Sequence, residues 1–268
     1  MGPRMTRRTL LAASLLTPLS LPVHADDALT LMQRVHDRPS GRDATVTSRM
    51  ELIERGRPAR VRALVSYRVE RGRGEAHNLV RFLEPKDIAG TGLLSIDKAD
   101  GSNEQWLYLP ELDRVRRIAS DRKGGRFVGS DLYYEDLRTR KPAADRHRLV
   151  GQDNVNGVQC EIVESVPVDA AETVYRKRMT WVEASLAMVH RVDYFEKDDR
   201  APSKRWVLAS RKQIQGYWTV MESRLTDLGS GHETRLSVER ALYDRKLPAR
   251  LFTQQALADE NVEADFRP

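Results

Sequence analysis

The chain has 268 residues, of which 31% are charged and 40% hydrophobic, and it carries a formal net charge of +6. Its one cysteine, Cys160, excludes an internal disulfide and any cysteine-based metal site. Three of the arginines behind the positive charge lie in the first 25 residues. The basic balance is therefore weak evidence for a polyanion, and no nucleic-acid partner is expected.

The amino terminus has the pattern of a cleavable signal peptide over residues 1–25. Three arginines precede an apolar run that reaches Leu21, and a Val-His-Ala cleavage signature ends at Ala25. The apolar run is too short for a membrane span. The next residue is Asp26 rather than cysteine, so no lipid anchor is expected. We therefore expect a soluble periplasmic protein, exported by the general secretory or the twin-arginine route.

The hydrophobic period changes once near the start of the mature chain. From Asp26 to about His36, apolar residues recur at the spacing of one helical face, which predicts an amphipathic helix. From Thr45 to Ala241 the period is two, with turn residues between short runs. These runs suggest about eleven strands. Their short connections predict an antiparallel meander, and a sheet of this size curls.

Two further segments are predicted to be helical, a short one from Asp131 to Leu137 and a final one that begins at Pro248. So few helices cannot cover both sides of the sheet. We therefore predict an α+β, mainly antiparallel β fold, with a single curved sheet forming an incomplete barrel and helices covering the concave face. Residues 26–268 are expected to form one domain, and residues 26–36 and 131–137 are expected to act as a lid.

Aromatic residues in the predicted strands are candidates for lining a cavity on the concave face. Such rings accept alkyl chains without precise polar partners, although they also pack in ordinary cores. The candidates are Phe82, Trp106, Tyr108, Trp181, Tyr194, Trp206 and Trp218. Trp106 and Tyr108 are predicted to share a face because they are two residues apart.

Catalytic and metal-binding patterns are weak by comparison. The histidines are spread singly, without the close pair that one metal ion needs. The oxygen-bearing side chains around Asp100 depart from the spacing of a calcium loop, and Asp100-Gly101 by itself is typical of a tight turn. We expect no metal, no cofactor and no enzymatic activity. An envelope hydrolase is the third functional alternative, after a carrier and an accessory protein of an exporter.

Residues 82–137 carry the most informative pattern. They read F-L-E-P-K-D-I-A-G-T-G-L-L from Phe82, W-L-Y-L-P-E-L-D-R-V-R-R-I from Trp106 and G-R-F-V-G-S-D-L-Y-Y-E-D-L from Gly125. This ordered string resembles the LolA-like outer membrane lipoprotein-sorting proteins. The resemblance implies an incomplete antiparallel barrel, closed by helices over a hydrophobic cavity. No ligand-contact residue is carried over from the family.

The same resemblance implies a soluble periplasmic carrier that binds lipid or lipoprotein acyl chains and shuttles them towards the outer membrane. The partners it implies are the cargo, an RND-type inner-membrane exporter, an outer-membrane acceptor and, transiently, a membrane. The alternative is a non-transporting accessory protein of an RND-type exporter, which would keep a filled core.

Overall fold

A computed structural model of the chain describes Gly2 and residues 25–72, 74–119 and 122–267. Among these residues, thirteen antiparallel strands form one sheet. The strands are β1 (Asp43–Ile53), β2 (Arg60–Gly72), β3 (Glu75–Glu84), β4 (Gly92–Asp97), β5 (Asn103–Leu109), β6 (Arg114–Arg117), β7 (Asp145–Val155), β8 (Val158–Pro167), β9 (Lys177–Glu183), β10 (Met188–Phe195), β11 (Lys204–Ile214), β12 (Tyr217–Asp227) and β13 (Glu233–Tyr243). The predicted signal peptide, residues 1–25, lies outside the described residues apart from Gly2 and Ala25.

The sheet consists of two meanders that are joined by their ends. The strand order is β6-β5-β4-β3-β2-β1-β13-β12-β11-β10-β9-β8-β7, so the first strand pairs with the last. β6 and β7 follow one another in the chain but occupy opposite edges of the sheet. The barrel is therefore open between them. Residues 118–144 connect these two edges, and we call their described part, 118–119 and 122–144, the crossover.

The helix α1 (Ala25–His36) and the crossover lie on the same face of the sheet, which we call the inner face. At one end of the strand order, α1 packs on Val163 of β8 and Val182 of β9. Its last residues also line a pocket whose wall is formed by β1–β4. Six strand spacings separate β9 from β2, or about 29 Å in a flat sheet, whereas a helix of 12 residues is only about 18 Å long. The sheet must therefore curve around α1.

The carboxyl-terminal segment, residues 244–267, lies on the opposite, outer face. It contains 3₁₀ turns at Ala249–Leu251 and Glu260–Phe266 and a short helix α2 (Gln254–Ala258). Leu251 and Leu257 pack in one cluster with Val65, Tyr67, Leu94 and Trp106 of the sheet. Neighbouring residues such as Phe82 and Leu93 belong to a second cluster, which the crossover covers. Because β2–β5 are apolar on both faces, each face needs its own cover.

The structure confirms the incomplete barrel and corrects its details. α1 forms where the helical period predicts it, and the 131–137 segment contains a 3₁₀ turn at Tyr134–Leu137. The count of about eleven strands is wrong, since thirteen strands form. The prediction that all the helices cover the concave face is also wrong, because the carboxyl-terminal segment covers the outer face. Pro248 precedes a broken set of short turns rather than one helix.

Candidate functional site

The inner face holds a pocket of about 470 Å³ between β1–β4, the end of α1 and the crossover. This volume falls within the range of about 300–1,000 Å³ that is usual for small-molecule sites. Val35 and His36 of α1 form one side, and Leu137 and Thr139 of the crossover form another. The pocket is therefore the gap that the helix and the crossover leave above the sheet.

Strand register divides the sheet wall of this pocket into two rows that differ in polarity. Paired residues of neighbouring antiparallel strands lie side by side on one face of the sheet. The polar row is Ala44, Arg68, Asn78 and Ser95, and the apolar row is Val46, Ser66, Val80 and Leu93. Beyond the apolar row, Leu64 pairs with Phe82 in the filled core beneath the crossover. The pocket is therefore amphipathic, with its polar row farther from the filled core.

Basic side chains line the polar end. His36, Arg38 and Arg68 border the pocket, and its lining contains no aspartate or glutamate. Arg38 donates one hydrogen bond, from Nη1 to the carbonyl oxygen of Trp218 at 2.8 Å. Burial lowers the pKa of the Arg38 guanidinium, and the nearby charge of Arg68 lowers it further. The Nε2 atom of His36 is buried and has no hydrogen-bond partner among the described residues.

Helix α1 is attached to the inner face by few buried side chains. Two of its side chains, Ala28 and Leu31, are fully buried, and Arg34 donates to the carbonyl oxygen of Ala184 at 2.7 Å. A second space of about 680 Å³ opens between α1 and the β9–β10 turn. A third, of about 330 Å³, lies between the last turns of α1 and β7–β9. The helix is therefore bordered by unfilled volume on several sides.

The crossover, in contrast, is held to the inner face by a buried cation. The ammonium group of Lys204 donates to the carbonyl oxygen of Asp131 and to Oδ2 of Asp136, both at 3.1 Å. It also lies 3.3 Å from the ring centroid of Tyr133. The Tyr175 hydroxyl donates to the other oxygen of Asp136 at 2.7 Å. Burial lowers the pKa of Lys204, and the charge of Asp136 opposes that shift.

Two further carboxylates of the crossover are fixed in the same way. Asp131 accepts a hydrogen bond from Thr234 at 2.7 Å and lies 2.6 Å from His232 Nδ1. Glu135 accepts from Arg178 at 2.8 Å. Since each of these carboxylates is at most 6% exposed, separating it from its partners would leave a buried charge unpaired. These contacts argue against the 131–137 half of the predicted lid.

The seven candidate aromatics lie on different faces and are not brought together. Trp106 and Tyr108 do share a face, but it is the outer one, under the carboxyl-terminal segment. Trp181 is also on the outer face, where Arg191 stacks on it with the guanidinium carbon 4.0 Å from the ring centroid. Trp218 lies there too, beneath Arg211. None of these four rings lines the inner pocket.

The other three candidates point to the inner face. Phe82 is fully buried in the core, with its ring centroid 5.5 Å from that of Phe127. Tyr194 packs against Tyr175 in the cluster around Lys204. Trp206 is partly buried beside Val192 in the register of β10 and β11. A role for these three in cargo contact stays a prediction.

The residues that line the pocket carry little signal in the sequence. Ser66, Arg68 and Asn78 alternate with apolar residues, which is the usual pattern of a strand with one solvated face. Arg38 follows the predicted helix in a segment without periodicity. These polar side chains can be assigned to the inner face only once β2 and β3 are known to be covered on both faces.

No group of three or more potential metal-ligating side chains occurs within residues 25–72, 74–119 and 122–267. The oxygens near the Asp100 turn bind protein groups, with Asp97 accepting from Asn103 at 2.6 Å and Asp100 accepting from the amide of Ser102 at 2.8 Å. Over the same ranges, no helix combines the length and apolarity that crossing a membrane requires. Cys160 is a buried thiol on the outer face, in one cluster with Trp181.

Comparison with known proteins gives a family match and two strong structural matches. A family model described as "Uncharacterized protein" matches residues 74–259, more than half of the chain. A Vibrio parahaemolyticus structure described as an outer membrane lipoprotein-sorting protein domain is 27% identical, with a TM-score of 0.82 over 88% of this chain and 100% of that one. A DUF1329 family protein from Desulfovibrio piger is also 27% identical, with a TM-score of 0.82 over 87% of this chain and 98% of that one.

The LolA superfamily protein NE2245 from Nitrosomonas europaea shares the fold at 16% identity, with a TM-score of 0.66 over 87% of this chain and 98% of that one. No curated protein matches the chain.

Proposed function

The chain belongs to the DUF1329 family of LolA-like outer membrane lipoprotein-sorting proteins, and we propose that it is a periplasmic carrier of lipid or lipidated protein. The observation that carries this proposal is the amphipathic pocket of about 470 Å³ between α1 and the inner face. A carrier needs such a space because burying methylene groups gains about 0.8 kcal/mol each, or roughly 12 kcal/mol for a sixteen-carbon chain. Free diffusion of such a chain through water is therefore prevented.

Delivery by a carrier requires a donor and an acceptor. We propose that cargo arrives from the inner membrane, with an RND-type exporter as the partner there, and leaves towards the outer membrane. Small differences in affinity between donor, carrier and acceptor set the direction of transfer.

Cargo that co-purifies with the protein tests the carrier role. Native mass spectrometry and organic extraction should find a bound amphiphile in protein purified from the periplasm without detergent. Val80→Phe should reduce the amount because the larger side chain enters the pocket from its apolar row. Val166→Phe on β8, at a side chain that is 38% exposed, is the matched control and should retain the cargo.

An empty wild-type protein would contradict the carrier role. So would equal amounts of lipid in the two valine variants. Either result would favour the accessory protein of an exporter.

We further propose that α1 alone gates the pocket. A cysteine pair at Leu31→Cys and Val182→Cys, in a Cys160→Ala background, would lock α1 to β9 within their shared cluster. Uptake of a fluorescent fatty acid should fall when the disulfide forms and recover on reduction, so the reduced protein is its own control. Unchanged uptake in the oxidised protein would refute the gate.

A further inference from the structure

The polar end of the inner pocket carries basic side chains, which an acyl chain does not require. Arg38 and Arg68 border it, its lining contains no acidic side chain, and the third basic residue there, His36, already has its Nδ1 atom 2.9 Å from Asp37. An alkyl chain gains nothing from these groups, and burying them without an anionic partner costs free energy. Their presence needs a separate explanation.

Arg38 is the least satisfied of the three. Within residues 25–72, 74–119 and 122–267, its guanidinium forms no salt bridge with a carboxylate, and its one hydrogen bond goes to the Trp218 carbonyl. The Nε and Nη2 atoms of Arg38 donate to no described residue. A planar guanidinium with two free donors matches a phosphate or a carboxylate.

Arg68 is partly neutralised. Its guanidinium binds Glu70 and donates to the Ser40 hydroxyl at 2.9 Å, and it remains 29% exposed. Glu70 lies outside the pocket of about 470 Å³, in the adjoining space of about 290 Å³ that Arg38 and Arg68 also border. Asp37 and Glu75 border that space as well, but among the described residues Arg38 forms a salt bridge with none of these three carboxylates. An anion at the rim would supply the partner that Arg38 lacks.

The strand register determines how an amphiphilic ligand would be oriented in the inner pocket. The polar row with Arg68 and Asn78 lies beside the apolar row with Val80 and Leu93, and both belong to one wall. A molecule with a charged head and a single alkyl chain would place the head at Arg38 and the chain along the apolar row. A neutral lipid would leave Arg38 without an anionic partner, and an acyl chain on a protein brings no anion of its own.

We propose that the cargo is an anionic amphiphile, whose phosphate or carboxylate headgroup binds Arg38 and Arg68 while its alkyl chain lies along the Val46–Leu93 row of the pocket. This assignment rests on the carrier function and names its substrate class. It makes Arg38 and Arg68 specificity-determining residues for the headgroup rather than for the chain.

Isothermal titration with two matched lipids tests the assignment. Lysophosphatidate and the monoacylglycerol with the same chain differ in the phosphate alone, and both are used below their critical micelle concentrations. The wild-type protein should bind lysophosphatidate at least about tenfold more tightly, since charge-assisted hydrogen bonds to one anion are worth about that factor or more. Arg38→Gln should abolish the preference by weakening lysophosphatidate binding without weakening monoacylglycerol binding.

Arg245→Gln is the matched control. Arg245 is exposed on the outer face and donates one hydrogen bond to the carbonyl oxygen of Phe266 at 3.0 Å, so the variant loses the same charge and the same kind of bond. Its lipid preference should equal that of the wild type. If Arg38→Gln does not fold, as judged by thermal unfolding, Arg68→Gln replaces it with the same expectation.

The outcomes separate this assignment from the carrier function. Equal binding of the two lipids, or equal weakening of both by Arg38→Gln, would overturn the anionic headgroup and leave the carrier intact. Binding of neither lipid would overturn both proposals. Displacement of lysophosphatidate by millimolar inorganic phosphate would identify free phosphate as the ligand and would also overturn the amphiphile.

Discussion

Replacing Arg81 with methionine should detach the carboxyl-terminal segment from the outer face. Arg81 is fully buried on β3 and donates two hydrogen bonds to Oε1 of Glu263, at 2.9 and 2.6 Å. It also donates to the carbonyl oxygens of Gly90 at 2.7 Å, Leu257 at 3.0 Å and Ala256 at 3.2 Å. The guanidinium thus joins the sheet, α2 and the last 3₁₀ turn.

The cost follows from what Arg81→Met leaves behind. Removing one partner of a buried ion pair costs about 3–5 kcal/mol because the other charge stays buried and uncompensated. Glu263 would keep only Arg267, whose Nη2 lies 4.0 Å from Oε2. We therefore expect a loss of about 4 kcal/mol in the free energy of unfolding. The double variant with Glu263→Leu should recover part of it, since no buried charge then remains.

The deficit should also depend on pH. Burial raises the pKa of Glu263, and the positive charge of Arg81 opposes that shift. Without Arg81 the pKa of this carboxyl in the folded protein should rise further. A carboxyl whose folded-state pKa is raised stabilises the fold below its unfolded-state pKa, and the contribution is lost as the pH rises through the folded-state value. The deficit should therefore be larger at about pH 8 than at about pH 5.

Urea unfolding of the wild type, Arg81→Met and the double variant at both pH values measures these differences. A deficit under about 1 kcal/mol would refute the reasoning, because a surface pair would cost no more. An equal deficit at the two pH values would show that Glu263 does not titrate as the burial argument requires.

Three further predictions concern the inner core and the thiol. Lys204→Met should lower the free energy of unfolding by about 3 kcal/mol, measured by urea unfolding, because Asp136 loses its buried cation but keeps two other hydrogen bonds; no measurable loss would contradict the anchoring of the crossover. Phe82→Ala should cost about 3–5 kcal/mol in the same assay, and the partly buried Trp206→Ala distinctly less, so equal losses would contradict their different burial. Burial raises the pKa of the Cys160 thiol to about 11, so a thiol reagent should modify it only after unfolding, and rapid modification of the folded protein would contradict this.

The sequence predicts where the strands and α1 lie because period and turn chemistry are local properties. The strand region runs from Asp43 to Tyr243, close to the predicted limits of Thr45 and Ala241, and α1 ends at His36 as the helical period indicates. Which face a strand turns towards a cover is not local. The pair Leu93-Leu94 could have signalled a strand buried on both sides, since each residue belongs to a different core cluster.

The aromatic candidates lie on two faces of the sheet, because the face that a side chain occupies is not a local property of the sequence. A spacing of two shows that Trp106 and Tyr108 share a face, but it does not say whether α1 or the carboxyl-terminal segment covers that face. Buried charges are harder still to predict. Arg81 and Lys204 look like ordinary solvated residues until their carboxylate partners Glu263 and Asp136, each more than 60 residues away, are placed beside them.

The two elements on the inner face differ in what it costs to move them. Displacing α1 exposes Leu31, Ala28 and parts of Met32 and Val35, which costs about 4–6 kcal/mol at the usual value for apolar side chains. Displacing the crossover would break the contacts of Lys204 and three carboxylates, at several kcal/mol for each buried charge. A long alkyl chain gains roughly 12 kcal/mol on burial. The free energy gained by burying the cargo therefore exceeds the cost of displacing α1 but not the cost of displacing the crossover. Loading should open the pocket on the α1 side.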